Sequence, residues 1–259
     1  MTPNLRAVGR MAAFLPVLAW RGLFIGFSAM LARPEDRALT RARWQMKSCR
    51  VFCRRLGVAI RVVDRSGIDP EHTHRALLAV SNHLGVLDPW VLASTMPMAF
   101  AAKAEMASWP VMGRICKNVG IVFVERQRRM ETTRFVDEVR GRMRHGVRVL
   151  VFPEGTTSDG TGLLPFKTGG FEAVAGMDDG AVLPIYMVLA SVAGRAATAE
   201  ERLRIAWGGG PMMPHAMRAL SFEAPVVEVR IGAPIATAGR DRKELADLSR
   251  EAMLALAGI

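Results

Sequence analysis

Ala76-Leu77-Leu78-Ala79-Val80-Ser81-Asn82-His83 is the stretch on which the fold turns. It is an apolar, strand-like run that stops at two polar residues, and such strand ends are where open α/β sheets place reactive groups. Outward from it, short apolar runs alternate with helix-period runs. The pattern predicts strands over 58–63, 76–81, 120–124, 147–152, 181–188, 203–207 and 226–231, and helices over 88–97, 107–117, 130–144, 212–220 and 241–257. That alternation is an α/β signature. The expected fold class is α/β, with a mixed, partly parallel sheet flanked by helices. No internal repeat or low-complexity tract interrupts it.

Five residues after His83 comes Asp88, with Leu84, Gly85, Val86 and Leu87 between them. A histidine with a nearby carboxylate is the minimal base for deprotonating an alcohol, because the carboxylate fixes the tautomer and stabilises the imidazolium. A plainer reading competes. Asp88 before Pro89 is a good helix N-cap with proline at the first helical position, and His83 could be an ordinary turn residue.

Three further segments carry candidate chemistry. Gly120-Ile121-Val122-Phe123-Val124-Glu125-Arg126 is a strand ending in a charged pair. Arg126 there could offer a planar fork to a phosphate, or belong to a solvated basic turn. Val149-Leu150-Val151-Phe152-Pro153-Glu154-Gly155-Thr156-Thr157 is a buried-type strand running into a turn, with Glu154 held between two turn residues. Lys167 follows in Leu164-Pro165-Phe166-Lys167-Thr168-Gly169-Gly170 and could be a surface lysine. In Val182-Leu183-Pro184-Ile185 a proline sits inside an apolar strand, which suggests an edge, a bulge or a pocket wall.

The chain has 259 residues, 50% of them hydrophobic and 23% charged, with a formal net charge of +11. Its mean hydropathy of +0.17 is high for a soluble protein, and suits a globular domain with a membrane-facing part. Residues 1–60 contain eleven Lys and Arg against Glu35 and Asp36, so +9 of the +11 lies there. A basic block beside an apolar segment reads as an anchor to an anionic membrane surface. Nucleic-acid binding is not expected, since no zinc spacing or aromatic platform accompanies the charge. The three cysteines (Cys49, Cys53 and Cys116) form neither a disulfide framework nor a metal knuckle, which fits a reducing compartment.

Residues 11–32 are apolar except for Arg21 and are interrupted by Pro16, Gly22 and Gly26. A transmembrane helix would bury Arg21 near its middle at about 3 kcal/mol, and a signal peptide lacks a cleavage site. Each half falls short of the roughly 20 residues that span a bilayer. An interfacial or re-entrant helical pair is therefore preferred, with both basic flanks on the cytoplasmic side. A basic helix is expected from Pro34 to about Gly57. The expected division is a membrane-associated basic helical segment over 1–57 and a catalytic domain over 58–259.

In this order and at these intervals, Asn82-His83…Asp88, Gly120 to Arg126, Phe152-Pro153-Glu154-Gly155-Thr156 and Val182-Leu183-Pro184-Ile185 resemble the four blocks of the glycerolipid acyltransferase family. That family includes the bacterial 1-acylglycerol-3-phosphate acyltransferases. The resemblance covers roughly residues 76–190. It implies an O-acyltransferase that moves an acyl group from an acyl carrier protein or coenzyme A thioester to a lysolipid acceptor. His83 would be the general base and Asp88 would orient it. Arg126 would hold the acceptor's head-group phosphate, and Lys103 would stand where the family often has another basic contact. Glu154 and Gly155 would shape the acceptor pocket, with Thr156, Thr157 and Lys167 as further substrate contacts, and the Val182 block would line the acyl or acceptor site. No metal or bound cofactor is implied. The cytoplasmic face of the bacterial inner membrane is the implied location.

Thr157 departs from the pattern of phosphatidate-forming members, which commonly carry arginine there. Losing such a charge-assisted contact removes about 1.5–3 kcal/mol. Lyso-ornithine lipid acyltransferases look similar and share this threonine, and Ile205-Ala206-Trp207 with Pro214-His215 also resembles that branch. Phosphatidate synthesis leads the expectation by frequency, with ornithine-lipid synthesis close behind. A non-enzymatic lipid-surface protein on the same fold is the rival from another class.

Overall fold

A computed structural model describes residues 3–68, 76–110, 112–124 and 129–258. Two long helices come first, α1 (Pro3–Leu31) and α2 (Arg37–Arg55). Then follow β1 (Ala59–Asp64), β2 (Ala76–Ser81), α3 (Asp88–Ala93), β3 (Met98–Lys103), α4 (Met112–Val119), β4 (Val122–Val124), α5 (Arg129–Arg144) and β5 (Arg148–Val151). The rest is β6 (Gly180–Val192), β7 (Arg195–Ala196), α6 (Ala199–Ile205), α7 (Met212–Ser221), β8 (Val226–Ile231), β9 (Ile235–Ala236) and α8 (Arg242–Ala257).

The sheet runs β1-β8-β6-β2-β5-β3-β4, with β7 and β9 also paired to β6. β2 lies in the middle, parallel to β5 (Val80 opposite Val151) and to β6 (Ser81 opposite Ile185). The pairings of β6 with β7, β8 and β9 are antiparallel, so the sheet is mixed and mostly parallel. Every residue of β2 is buried because helices cover both faces. Leu77 and Ala79 enter a core shared with α1, α2, α3 and α7, while Leu78 and Val80 enter one shared with α5 and α8. The resulting α/β layering is the fold class expected from the sequence.

Four local expectations change. Residues 11–32 do not form a helical pair, since α1 continues unbroken through Pro16. Its glycines permit close packing instead of a break: a Cβ on Gly22 would lie 3.1 Å from Ile115, and one on Gly26 would lie 3.0 Å from Asn118. Arg21 reaches Ser48 Oγ on α2 at 3.4 Å. Residues 203–207 are not a strand. Their first three residues close α6, whose start is fixed by a capping box in which Thr198 and Glu201 exchange side-chain and backbone hydrogen bonds. β3 was missed because Met98-Ala99-Phe100-Ala101-Ala102 contains no β-branched residue. Pro184 lies in an interior strand, at the point where β6 passes from β9 to β8. Gly232 donates to its carbonyl across that gap at 2.9 Å, so the missing N–H faces a break in the ladder and disrupts nothing.

Candidate active site

The site is built at the C-terminal end of β2. Where that strand stops, the buried Asn82 extends its pairing with a side chain: Nδ2 donates to Met187 O at 2.9 Å and Oδ1 accepts from Met187 N at 2.8 Å. This amide bridge to β6 fixes the direction in which the chain leaves the sheet, and so the position of His83.

His83 Nδ1 lies 2.7 Å from Asp88 Oδ2, and the same oxygen accepts from the backbone N–H of Leu84 at 2.6 Å and of Gly85 at 2.8 Å. Asp88 is 3% exposed. A buried carboxylate with three hydrogen-bond contacts on one oxygen is held in one orientation. The two plain readings of this aspartate can now be separated. The cap of α3 is Leu87, with no side-chain cap bond, and the Asp88 carboxylate points back into the turn. It therefore binds the His83 ring and does not cap the helix.

The imidazole is about one-quarter exposed and stacks on Phe152, with ring centroids 4.0 Å apart and planes 13° from parallel. With Nδ1 bound to Asp88, Nε2 is the ring nitrogen left open, and among the described residues it has no hydrogen-bond partner.

Glu154 is 2% exposed. Its Oε1 accepts from His83 N and its Oε2 from Leu164 N, both at 3.0 Å. Burial pushes its carboxyl upward, against the pull of those two donors and of His83. Glu154 thus ties the turn after β2 to the loop after β5. Gly155 has a φ of +72°, and a Cβ there would lie 2.8 Å from Lys167 Nζ. The lysine is thereby laid across the same loop. Thr156 is exposed and Thr157 half-buried on that loop. Lys103 ends β3 opposite Val124, and because β3 runs parallel to β5 this places its backbone at the same edge of the sheet as His83. Arg126 lies outside the described residues.

Sequence reasoning did not assign roles to Asn82, Phe152 or Trp207, whose N–H donates to Leu84 O at 2.7 Å. Asn82 and Phe152 belong to motif blocks that give them no role of their own. Their polar or aromatic character gave the signal, and only the fold gave them partners. The thiols offer no alternative nucleophile: Cys49, Cys53 and Cys116 are buried, and burial raises each, Cys53 to about 12.

The family model described as Acyltransferase matches residues 62–188. The lyso-ornithine lipid O-acyltransferase of Brucella abortus is 38% identical over 205 residues, covering 76% of this chain and 75% of that protein. The chain belongs to the acyltransferase family. A 1-acyl-sn-glycerol-3-phosphate acyltransferase of Neisseria gonorrhoeae is 39% identical to this acyltransferase over 104 residues, 40% of each chain. The crystal structure of the 1-acyl-sn-glycerophosphate acyltransferase from Thermotoga maritima superposes with a TM-score of 0.70 at 20% identity, over 98% of this chain and 94% of that one. This last likeness is one of fold. The site described above lies within the stretch that the family model matches.

Proposed function

We propose that this acyltransferase transfers a fatty acyl group directly from a thioester, of acyl carrier protein or coenzyme A, to the hydroxyl of a lysolipid, with His83 as general base. The observation that carries the reading is the 2.7 Å contact between His83 Nδ1 and the buried Asp88. His83 Nε2 takes the hydroxyl proton as the oxygen attacks the thioester carbonyl. The C–S bond then breaks, and the imidazolium returns the proton to the leaving thiolate. Asp88 stabilises the imidazolium in between. A His83→Ala protein that folds and binds membranes normally yet keeps full activity would sink this mechanism.

Two acceptors were separated in the sequence, and both have counterparts among the relatives. A relative aligned over three-quarters of its length is a lyso-ornithine lipid enzyme, and Thr157 carries no charge for a phosphate. Both observations favour lyso-ornithine lipid over lysophosphatidate here. A panel offering both acceptors with one acyl donor tests this, and conversion of lysophosphatidate alone would reverse the order.

The acceptor is a membrane lipid, and α1 provides the means to reach it. Along one face of α1, Ala7, Phe14, Leu18, Ile25 and Ala29 are buried against the domain. Along the other, Leu15, Trp20, Leu23, Phe27, Met30 and Leu31 are each more than half exposed. The helix is long and apolar enough to cross a bilayer. Its packing on α2, α4 and α7 instead favours a helix that lies in the interface with its outer face in lipid. The basic α2 beside it suits the anionic, cytoplasmic leaflet.

A further inference from the structure

We propose that His215, on α7 and 132 residues from His83 in the chain, is a positioning residue for the catalytic turn: its neutral imidazole holds residues 84–86 in the shape that lets Asp88 grip His83. The proposal rests on the reading of His83 as the base.

His215 is 2% exposed and adjoins a narrow apolar cavity behind the turn, lined also by Gly85, Asp88, Met187, Leu189 and Ile205. Its Nε2 accepts from Val86 N at 3.4 Å. That assignment places the proton on Nδ1, which is buried and has no partner among the described residues. A core histidine kept only for packing would be expected to satisfy both nitrogens. Here one nitrogen is left without a partner while the other faces the turn.

The contact with Gly85 is closer still. A Cβ on Gly85 would overlap Nε2 and come within 2.8 Å of Cε1. Gly85 does not have a positive φ, so its backbone would accept alanine, and the obstacle is the imidazole alone. Gly85 N is one of the three donors to Asp88 Oδ2, which means that whatever fixes Gly85 also fixes the carboxylate.

His215 is itself braced. Trp207 stacks on it, with centroids 5.5 Å apart and planes within 6°. The Trp207 N–H binds Leu84 O at 2.7 Å, and the next residue, Gly208, donates to Ser158 O at 3.1 Å. Ser158 N in turn binds His83 O at 2.7 Å. The segment from Trp207 to His215 thus straps both loops of the site from behind. Burial, aided by Arg218 and His83 and opposed by Asp88, lowers the basicity of His215 and favours the neutral form that can accept from Val86.

The test uses the full chain in lipid vesicles, with an acyl thioester and the better lysolipid acceptor. Five variants are compared: His215→Leu, His215→Gln, His215→Ala, Gly85→Ala, and Gly85→Ala combined with His215→Ala. His215→Leu should lower kcat about tenfold with KM for the lysolipid within about twofold, because a misplaced base costs rate and not binding. The acidic limb of its kcat profile should move to lower pH, since a loosened Asp88 stabilises the His83 imidazolium less. His215→Gln, which can still offer an acceptor near Val86 N, should restore most of the rate and the limb. Gly85→Ala should lose more than about 30-fold, and removing the imidazole in the double variant should recover much of it, a strongly non-additive pair. A His215→Leu enzyme with unchanged kcat and limb overturns the proposal, as does an activity loss that only tracks the folded fraction. Additive effects of Gly85→Ala and His215→Ala overturn it as well. His83→Ala is the control: if it is inactive while His215→Leu is unchanged, only the positioning role fails, and if it is active, both readings fail.

Discussion

Replacing Asp88 by asparagine separates the two roles that its place in the chain allows. As a helix cap, asparagine is about as good as aspartate, so a capping role predicts almost no effect on rate or stability. The structure predicts otherwise. Oδ2 accepts from the His83 ring, Leu84 N and Gly85 N at 2.6–2.8 Å, and an amide oxygen in its place would keep the geometry but lose the charge. Each charge-assisted bond that becomes neutral weakens by about 1 kcal/mol. For the two backbone donors this amounts to roughly 2 kcal/mol of stability, partly offset because a charge no longer has to be buried. The third bond matters in the transition state. There His83 becomes an imidazolium, and without the carboxylate, or with the amide NH2 turned toward Nδ1 so that the wrong tautomer is favoured, the loss is about 3–5 kcal/mol. The expected fall in kcat is therefore about a hundred- to several-thousand-fold, with a thermal midpoint within several degrees of wild type. Thiol release from the acyl donor in the presence of saturating lysolipid measures it. An Asp88→Asn enzyme retaining more than about a third of wild-type kcat would refute the orienting role and return Asp88 to the plainer one.

Glu154→Gln should destabilise the fold by about 1–3 kcal/mol, because both carboxylate oxygens accept from backbone N–H groups and an amide can satisfy only one of them; denaturant titration measures the loss. Because burial raises the Glu154 carboxyl, the folded chain keeps a proton that the unfolded chain has released. Its contribution to stability should therefore decline as pH rises from the ordinary glutamate range through the raised value, a slope that Glu154→Gln should lack. Leu23→Ser with Phe27→Ser removes two apolar side chains that are 60% and 59% exposed on α1. Vesicle co-sedimentation should fall at least about 100-fold at about 1.5–3 kcal/mol per side chain, with the thermal midpoint almost unchanged, and unaltered partitioning would argue against an embedded outer face. Thr157→Arg should improve kcat/KM for lysophosphatidate relative to lyso-ornithine lipid by about tenfold or more if this loop faces the acceptor head group, and an unchanged ratio in the acceptor panel would remove Thr157 from the specificity argument.

Much of the sheet was legible because its strands are uniform in chemistry. β2 and β8 run from 76 to 81 and from 226 to 231, as their apolar runs predict. Legibility failed where local pattern and environment disagree. β3 is alanine-rich and becomes a strand only because β5 and β4 flank it, while Leu203-Arg204-Ile205 reads as a strand unless Thr198 and Glu201 are recognised as a helix start. In α1 the glycines and proline suggest a break when the helix is taken alone, yet against α4 the same glycines let Ile115 and Asn118 approach. The site divides along the same line. His83, Asp88 and Glu154 could be singled out because each lies beside a strand end or turn that the sequence marks. Without the family resemblance Asp88 stays ambiguous, since a cap and a base partner look identical until the carboxylate is seen bound to Leu84 and Gly85 and not to the helix. Trp207 and His215 were visible only as a loose likeness, for periodicity describes neighbours along a chain and carries nothing about contacts across 129 residues. Gly85 shows the limit most clearly: in sequence it is one more turn glycine, and its need for a bare Cα comes from an imidazole on the other side of the site.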